Sequence, residues 1–156
     1  MNIIKRKLNI LKERKIDKKI DNLFSWIKGA ELVELKSCNI TDDPVRPELD
    51  VIFRTSYGRK IFGVKYKKEI CAIMCFGFTD EVPSTVKELD LMTRDAYLRS
   101  VRRDQNIGQI AVAYTIWSKK RGGGKLIVKE VFKLIKKSNS VFVNMEIFLS
   151  VSLINT

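Results

Sequence analysis

The sequence predicts an α/β (α+β) fold in which a mainly antiparallel sheet is flanked by helices. Residues 61–67 and 70–79 are two apolar runs of strand length joined by a reversal at Lys67 and Lys68, which is typical of an antiparallel hairpin. A helical pattern follows at residues 84–102. Residues 110–138 then show, in order, the patterns of a strand, a glycine-rich loop and an amphipathic helix.

Residues 1–28 are predicted to form a basic N-terminal helix or arm, and residues 29–156 one domain long enough to bury a core. The N-terminal segment carries nine Lys and Arg residues against three acidic residues, a net charge of +6. Part of it has apolar residues at helical spacing, and Gly29 ends that run. These residues are Ile16, Ile20, Leu23, Phe24 and Ile27.

The segment before the hairpin predicts two short strands. Residues 31–36 alternate between polar and apolar side chains, as a half-buried strand does. Residues 41–47 contain two prolines and predict a polar connection. Residues 51–55 are largely apolar and β-branched, so we expect a strand there, followed by a turn at residues 57–60.

Cys71 and Cys75 lie four positions apart in the strand at 70–79, so we expect them on one face of the sheet. With Cys38 they make an odd number of cysteines, and buried free thiols are favoured over a zinc pair. The chain has no histidine, which excludes Ser–His and Cys–His catalysis. No run reaches the length of a membrane span and no secretory signal is evident, so a metal-free cytoplasmic protein is predicted.

Two elements flank the strand at residues 110–117. Thr85 and Glu88 have the spacing of a capping box and predict a helix from there to about Arg102. At the other end of the sequence, residues 140–154 form one long apolar run, which predicts a single C-terminal strand.

The glycine-rich loop predicts a phosphate site. Gly122, Gly123 and Gly124 let the backbone turn tightly and present N–H groups at the positive end of the following helix. Four basic residues surround them: Lys119, Lys120, Arg121 and Lys125. A P-loop is excluded by Lys119 and Leu126, and a dinucleotide fingerprint by Ile127, where a third glycine is needed. The alternative is a glycine-rich turn with solvated lysines.

At Arg121 and Gly124 the loop resembles the acyl-coenzyme A-binding motif of GNAT-type N-acyltransferases. That motif is Gln/Arg-x-x-Gly-x-Gly/Ala, between the fourth strand and the next helix. Leu126 stands at the final Gly/Ala position, where we expect it to crowd the pyrophosphate. Residues 59–137 carry the resemblance, and sequences of this pattern are also similar to acyltransferases encoded by bacteriophages.

The resemblance implies a GNAT-like sheet whose fourth and fifth strands separate to admit the pantetheine arm of acetyl-CoA, the co-substrate. The implied coenzyme-binding residues are Ile116, Trp117, Arg121, Gly122, Gly123, Gly124 and Lys125. Relative to the family the C-terminus is expected to be truncated or diverged, and the apolar C-terminal strand is expected to pair with a second copy. A glutamate at Gly123 is expected to abolish coenzyme binding without unfolding the domain.

The implied reaction is transfer of an acyl group from acyl-coenzyme A to an unidentified amine by direct attack, without a metal. Asp80 and Glu81 end the strand at 70–79 and are candidate bases. The alternative for both is a polar loop before Pro83. Tyr114 is a further candidate for proton transfer, against a purely structural role in the core.

Two alternatives from other classes stay open. One is a basic nucleic-acid-binding or regulatory protein without catalysis, because the net charge is +12 and residues 119–137 alone contribute +7. In that case residues 1–28 would contact nucleic acid or an acidic protein. The other is a degenerate acyltransferase fold that acts as a binding module.

Overall fold

The computed structural model describes residues 25–104, 107–138 and 140–144. They form a mixed α+β fold with one five-stranded sheet flanked by helices, which confirms the predicted fold class. The strands are β1 Glu31–Leu35, β2 Lys60–Tyr66, β3 Glu69–Thr79, β4 Ile110–Ser118 and β5 Val141–Asn144. The helices are α1 Val51–Thr55, α2 Val86–Arg103 and α3 Gly123–Lys137, with short 3-10 helices at Ser25–Gly29 and Ile40–Asp42.

The strands follow one another across the sheet in the order β1-β2-β3-β4-β5. β1 to β4 are antiparallel neighbours, whereas β5 runs parallel to β4. Two adjacent parallel strands need a crossover connection, and α3 supplies it. The predicted hairpin is confirmed as β2 and β3, with φ of 48° at Lys67 and 68° at Lys68 in the turn. Two residues of positive φ match the twist of a two-residue hairpin.

The predicted capping box starts α2. Thr85 Oγ1 accepts a hydrogen bond from the Glu88 amide (3.1 Å), and the Glu88 carboxylate accepts one from the Ser84 amide (2.7 Å). These bonds satisfy amides that have no partner within the first helical turn. The helix ends at Arg103, beside the left-handed residue Asp104. The predicted helix is confirmed, with its start two residues later and its end one residue later than predicted.

The strand predicted at residues 51–55 is wrong, because this segment is helix α1. Asp50 is its N-cap, and its side chain accepts a hydrogen bond from the Phe53 amide (2.7 Å). A short apolar run does not distinguish a buried strand from one helical turn. The helical turn brings Arg54, which is fully buried, over the sheet.

Each face of the sheet carries its own core. On one face α3 and Trp26 pack against the sheet, with these buried members: Phe62, Val64, Cys71, Ala72, Met74, Phe76, Ala111, Ala113, Ile127, Val131 and Ile135. On the other face lies a second core of Leu49, Ile61, Ile73, Cys75, Leu89, Val112, Tyr114 and Trp117. Trp26 belongs to the first core, so the packed domain includes the end of the basic N-terminal segment.

Cys71 and Cys75 are both buried and free, but they do not share a face as the spacing predicted. The pairing of β2 with β3 shifts by one residue, since Val64 pairs with Ala72 and Lys65 with Ile70. Cys71 is the extra residue of this β-bulge. A bulge breaks the alternation of side chains, so Cys71 joins the core beneath α3 and Cys75 the core on the opposite face.

A buried ion pair fastens the loop before α1 to the sheet. Arg54 Nη1 lies 2.8 Å from Asp43 Oδ2, and both side chains are fully buried. Asp43 Oδ1 accepts further hydrogen bonds from Thr115 Oγ1 in β4 (2.7 Å) and from the amides of Val45 and Arg46. Burial raises the pKa of Asp43, but these hydrogen bonds outweigh it and hold the pKa below its usual value. The carboxylate is therefore charged and satisfied inside the protein.

None of the helices among the described residues has the length and apolar character needed to cross a membrane. Residues 1–24, and with them most of the predicted basic helix or arm, lie outside the described residues. So does the predicted C-terminal strand beyond Asn144.

We predict that Arg54→Met lowers the free energy of unfolding by about 3 kcal/mol or more, because it leaves the Asp43 carboxylate buried without its cation. Urea unfolding measures the loss. The matched control is Lys60→Met, which removes a cation from the exposed pair with Glu34 and should cost less than about 1 kcal/mol. Equal losses in the two variants would contradict this role for Arg54.

Candidate functional site

A cavity of about 640 Å³ lies beside the C-terminal half of β4. β5 pairs with β4 at residues 110–113, and the cavity borders β4 beyond this ladder, at residues 116–118. Its volume is in the range of small-molecule pockets. The residues that line it are Ile116, Trp117, Ser118, Gly124, Lys125, Val128, Lys129, Phe132 and Asn144.

A second β-bulge lies in β4 where the described pairing with β5 ends. Cys75 pairs with Thr115 and Phe76 with Ala113, so Tyr114 is the extra residue. A bulge bends its strand and re-aims the side chains that follow it. The Thr115 hydroxyl thereby reaches Asp43 on one face of the sheet, while Ile116 packs against the core on the other.

The cavity meets the start of α3. Gly122 is the N-cap with φ of 85°, a conformation that favours glycine, and the helix begins at Gly123, earlier than predicted. The Gly123 amide donates to Lys120 O (3.0 Å). Within the part of the chain that the structure describes, four other amides have no protein acceptor: those of Arg121, Gly122, Gly124 and Lys125. Unpaired amides at a helix start, together with the helix dipole, favour an anion.

Gly123 and Gly124 have different roles. A Cβ atom at Gly123 would lie 2.3 Å from Ser118 Oγ and 3.2 Å from Ala72 Cβ, so Gly123 permits close packing of α3 on the sheet. A Cβ atom at Gly124 would meet nothing within 4 Å. A glutamate at Gly123 would therefore disturb the packing of α3 on the sheet, so this variant does not separate coenzyme binding from stability. Gly124 lines the cavity, so a side chain at this position would occupy the space in which an anion is expected.

Two side chains fix the glycine loop. Ser118 Oγ donates to Lys120 O (2.5 Å) and accepts from the Lys120 amide (3.2 Å). Trp26 Nε1 donates to Arg121 O (3.2 Å). These bonds orient the loop from both sides, so its free amides keep their direction without a ligand.

The basic side chains divide into two groups. Lys119 Nζ is 2.8 Å from Asp42 Oδ2, a contact that raises the pKa of Lys119, and Lys120 Nζ lies 4.6 Å from the centre of the Tyr66 ring. Both cations are held by these groups, and neither lines the cavity. Lys125 does line it, together with Lys129, which the sequence analysis missed. The sequence could have indicated Lys129, because it lies four positions after Lys125 in the predicted helix and therefore shares its face.

Leu126 does not crowd the glycine loop as expected. Its side chain packs against the core beneath α3 and lines a separate small cavity with Ile27 and Ala30. The side chains of α3 that face the large cavity are instead Lys125, Val128, Lys129 and Phe132, at spacings of three, four and seven residues. Phe132 is half-exposed there.

The structure does not bring Asp80 and Glu81 to the cavity. They follow β3, whose last residue Thr79 pairs with Ile110 at the start of β4. The distance along β4 from Ile110 to Ile116 is about 20 Å at the usual rise per residue. Asp80 forms an ion pair with Arg99 of α2, and both carboxylates border another, smaller cavity.

Tyr114 and Trp117 carry buried polar atoms. Among the described residues, Tyr114 Oη and Trp117 Nε1 have no hydrogen-bond partner. Burial raises the pKa of Tyr114, so its hydroxyl stays protonated and is available as a donor. The Trp117 ring contacts the guanidinium of Arg54, whose Cζ lies 5.6 Å from the ring centre.

We predict opposite results for alanine at the two neighbouring glycines. Gly123→Ala should lower the free energy of unfolding by about 1–3 kcal/mol, because its methyl group collides with Ser118. Gly124→Ala should leave it unchanged or raise it by less than about 1 kcal/mol, because the methyl group meets open space in a helix. Urea unfolding of the pair measures both. Equal destabilisation would contradict the assignment of Gly124 to the cavity wall.

Comparisons with known proteins give a similarity of fold. No protein-family model matches the sequence, and no curated protein is similar to it. The structure is similar to the crystal structure of malonyl-CoA decarboxylase from Cupriavidus metallidurans, with a TM-score of 0.53 and 18% sequence identity. The match covers 84% of this chain and 34% of that one, so this chain spans about a third of the length of the decarboxylase. At this identity the likeness shows a shared fold.

Proposed function

We propose that this chain is an N-acyltransferase that moves an acetyl or similar acyl group from acyl-coenzyme A to an unidentified amine by direct attack. The observation that carries the proposal is the meeting of the cavity along β4 with the unpaired amides at the start of α3. The structural similarity to an enzyme named for a coenzyme A thioester supports the same ligand class.

The residues at the start of α3 fit a diphosphate. The amides of Arg121, Gly122, Gly124 and Lys125 would donate to its oxygens, and bonds to ionised acceptors are the stronger kind. Lys125 and Lys129 line the same cavity and would add positive charge.

The wall of the cavity fits the apolar stretches of a pantetheine arm. Ile116 of β4 and Val128 and Phe132 of α3 line it with apolar side chains, and Trp117 borders it. In this proposal the arm runs along β4 from the glycine loop towards Tyr114, where the bulge lies.

The motif of GNAT-type enzymes fits the structure better two positions earlier than the register used above. Its first position then falls on Lys119, and its two glycine positions on Gly122 and Gly124. Gly122 has the positive φ that favours glycine, and Gly124 borders the cavity. In this register Lys119 replaces the usual Gln or Arg, and Leu126 is no longer a departure from the motif.

The reaction needs a proton acceptor for the attacking amine and a proton donor for the departing thiolate. As the C–N bond forms and the C–S bond breaks, one proton leaves the nitrogen and one reaches the sulfur. Tyr114 packs in the core on the face of the sheet opposite α3 and does not line the cavity, so it is not proposed as this donor. Asp80 and Glu81 stay the proposed acceptors, and their place at the far end of β4 requires a chain of water molecules.

The second candidate is a degenerate acyltransferase fold that binds the coenzyme without turnover. It is favoured by the separation of Asp80 and Glu81 from the glycine loop. A basic nucleic-acid-binding protein without catalysis is the third candidate, supported by the net charge of +12.

We predict that acetyl-coenzyme A raises the melting temperature of the protein. At a concentration 100 times its dissociation constant it adds about 2.7 kcal/mol to stability, or roughly 5–10 °C for a domain of this size. Gly124→Glu should melt like the wild type and lose this response, because its carboxylate occupies the anion space. Leu91→Glu, which introduces the same charge at an exposed position of α2, should keep the response. A full response in Gly124→Glu would contradict the site.

A transfer assay separates the three candidates. Acetyl-coenzyme A is incubated with the protein and a mixture of amines, and acylated products are identified by mass spectrometry. An acylated amine supports the enzyme, whereas thermal stabilisation without any acylated amine supports the binding module. Salt-dependent duplex binding with no response to the coenzyme supports the nucleic-acid-binding protein.

A further inference from the structure

Two of the three cysteines meet on the face of the sheet opposite α3. Cys75 lies in β3, fully buried in the second core, and Cys38 packs against that core from the loop after β1. Cys38 is half-buried and lines a separate cavity of about 210 Å³, together with Asn39, Asp42 and Lys119. One thiol is therefore accessible to a small molecule, and the other lies behind it.

The charges around the pair distinguish the two sulfurs. Arg54 Nη1 donates to Cys75 Sγ (3.5 Å). Interaction with Cys75 is the main cause that lowers the pKa of Cys38 to about 7; burial raises it, Arg54 lowers it further and Asp43 raises it. The same interaction, together with burial, raises the pKa of Cys75. Cys38 is thus the more acidic thiol of the pair, and a substantial fraction of it is thiolate at neutral pH, whereas Cys75 stays protonated.

We propose that Cys38 and Cys75 form an oxidisable pair that a peroxide converts into a disulfide, with Cys38 as the attacking and Cys75 as the resolving residue. This site lies across the sheet from the start of α3, and the proposal is independent of the proposed acyl transfer.

The chemistry balances with one peroxide molecule. The Cys38 thiolate attacks a peroxide oxygen, the O–O bond breaks, and a sulfenic acid forms while hydroxide leaves and takes a proton to become water. Cys75 then loses its proton and attacks the Cys38 sulfur, the S–O bond breaks, and a second water leaves. Two thiols are oxidised by two electrons, and the peroxide is reduced to two waters.

Oxidation of Cys38 favours the attack by Cys75 that follows it. The hydrogen bond with the Cys38 thiolate is the main cause that raises the pKa of Cys75, followed by burial, and the negative charge of Cys38 adds to it; a neutral sulfenic acid no longer carries that charge. Arg54, within hydrogen-bonding distance of Cys75 Sγ, then stabilises the Cys75 thiolate. Cys71 also borders the cavity that Cys38 lines, but it packs in the core beneath α3, whereas Cys75 belongs to the core that Cys38 packs against, so Cys75 is the proposed partner.

We predict that hydrogen peroxide converts the reduced protein into a species lighter by the mass of two hydrogen atoms, with a bond between Cys38 and Cys75. Trypsin leaves Cys71 and Cys75 on one peptide, residues 69–87, so the bond is assigned in the Cys71→Ser variant. That variant should still form it, and Cys38→Ser should not. Cys75→Ser should accumulate a sulfenic acid at Cys38 that dimedone traps.

If a variant fails to fold, peptide mapping of the peroxide-treated wild-type protein still decides the test. Absence of the bond between residues 37–54 and 69–87 after peroxide treatment would overturn the proposal. A bond to Cys71 in place of Cys75 would overturn it as well. The reducing control, in which dithiothreitol restores the original mass, confirms that the product is a disulfide.

We also predict that the rate of Cys38 alkylation by iodoacetamide rises with pH around a midpoint near 7. The groups that face this thiol are Cys75, Arg54, Asp43, and the Asp42–Lys119 pair at the cavity rim. In Cys75→Ser the midpoint should rise, because the largest cause of the lowered pKa is removed. A midpoint at or above the ordinary value of about 8.5 in the wild type would contradict the assignment of Cys38 as the attacking thiolate.

Discussion

The buried carboxylate of Asp43 fixes the strand that borders the large cavity and also holds Arg54, which contacts Cys75. It binds Arg54 from α1 and Thr115 from β4, and two loop amides complete its hydrogen bonds. Thr115 follows the bulge at Tyr114, where the described pairing of β4 with β5 ends. Asp43 therefore anchors β4 from the face of the sheet opposite α3, at the point where the cavity begins. Charge burial is unfavourable unless every partner is present, so this contact also specifies one position for the whole loop before α1.

Opposite faces of the sheet then support different chemistry. Towards α3 the cavity combines an apolar wall with free amides and the charges of Lys125 and Lys129, which suits a ligand with a long arm and an anionic end. Towards α1 the same Arg54 that neutralises Asp43 also contacts Cys75, beside Cys38. The two sites share a scaffold, and Trp117 borders both cavities. Lys119 and Lys120, which the sequence places at the loop, serve instead to attach it to Asp42 and to the aromatic pair Trp26 and Tyr66.

Local chemistry made much of the fold predictable. Some elements depend on interactions within a few residues, so the sequence pattern alone predicts them. These are the turn at Lys67 and Lys68, the capping box at Thr85 and the strand before the glycines. The helix at Val51–Thr55 was not predictable from its own residues. Its position depends on the buried ion pair between Arg54 and the carboxylate of Asp43, which lies outside the segment. The faces of Cys71 and Cys75 were missed for a related reason, since a bulge depends on the partner strand.

The sequence pointed to the glycine loop as the location of a candidate site, but it did not predict the roles of the individual glycines. The three glycines indicated anion binding, yet their spacing could not show that Gly123 packs on Ser118 while Gly124 faces open space. The central claim, that the start of α3 binds a diphosphate, is tested most directly by titrating ¹⁵N-labelled protein with coenzyme A and following the amide resonances. The account predicts that the largest saturable shifts occur at Arg121, Gly122, Gly124 and Lys125. Shifts confined to the other end of β4, near Asp80 and Arg99, or no shifts at all, would contradict it.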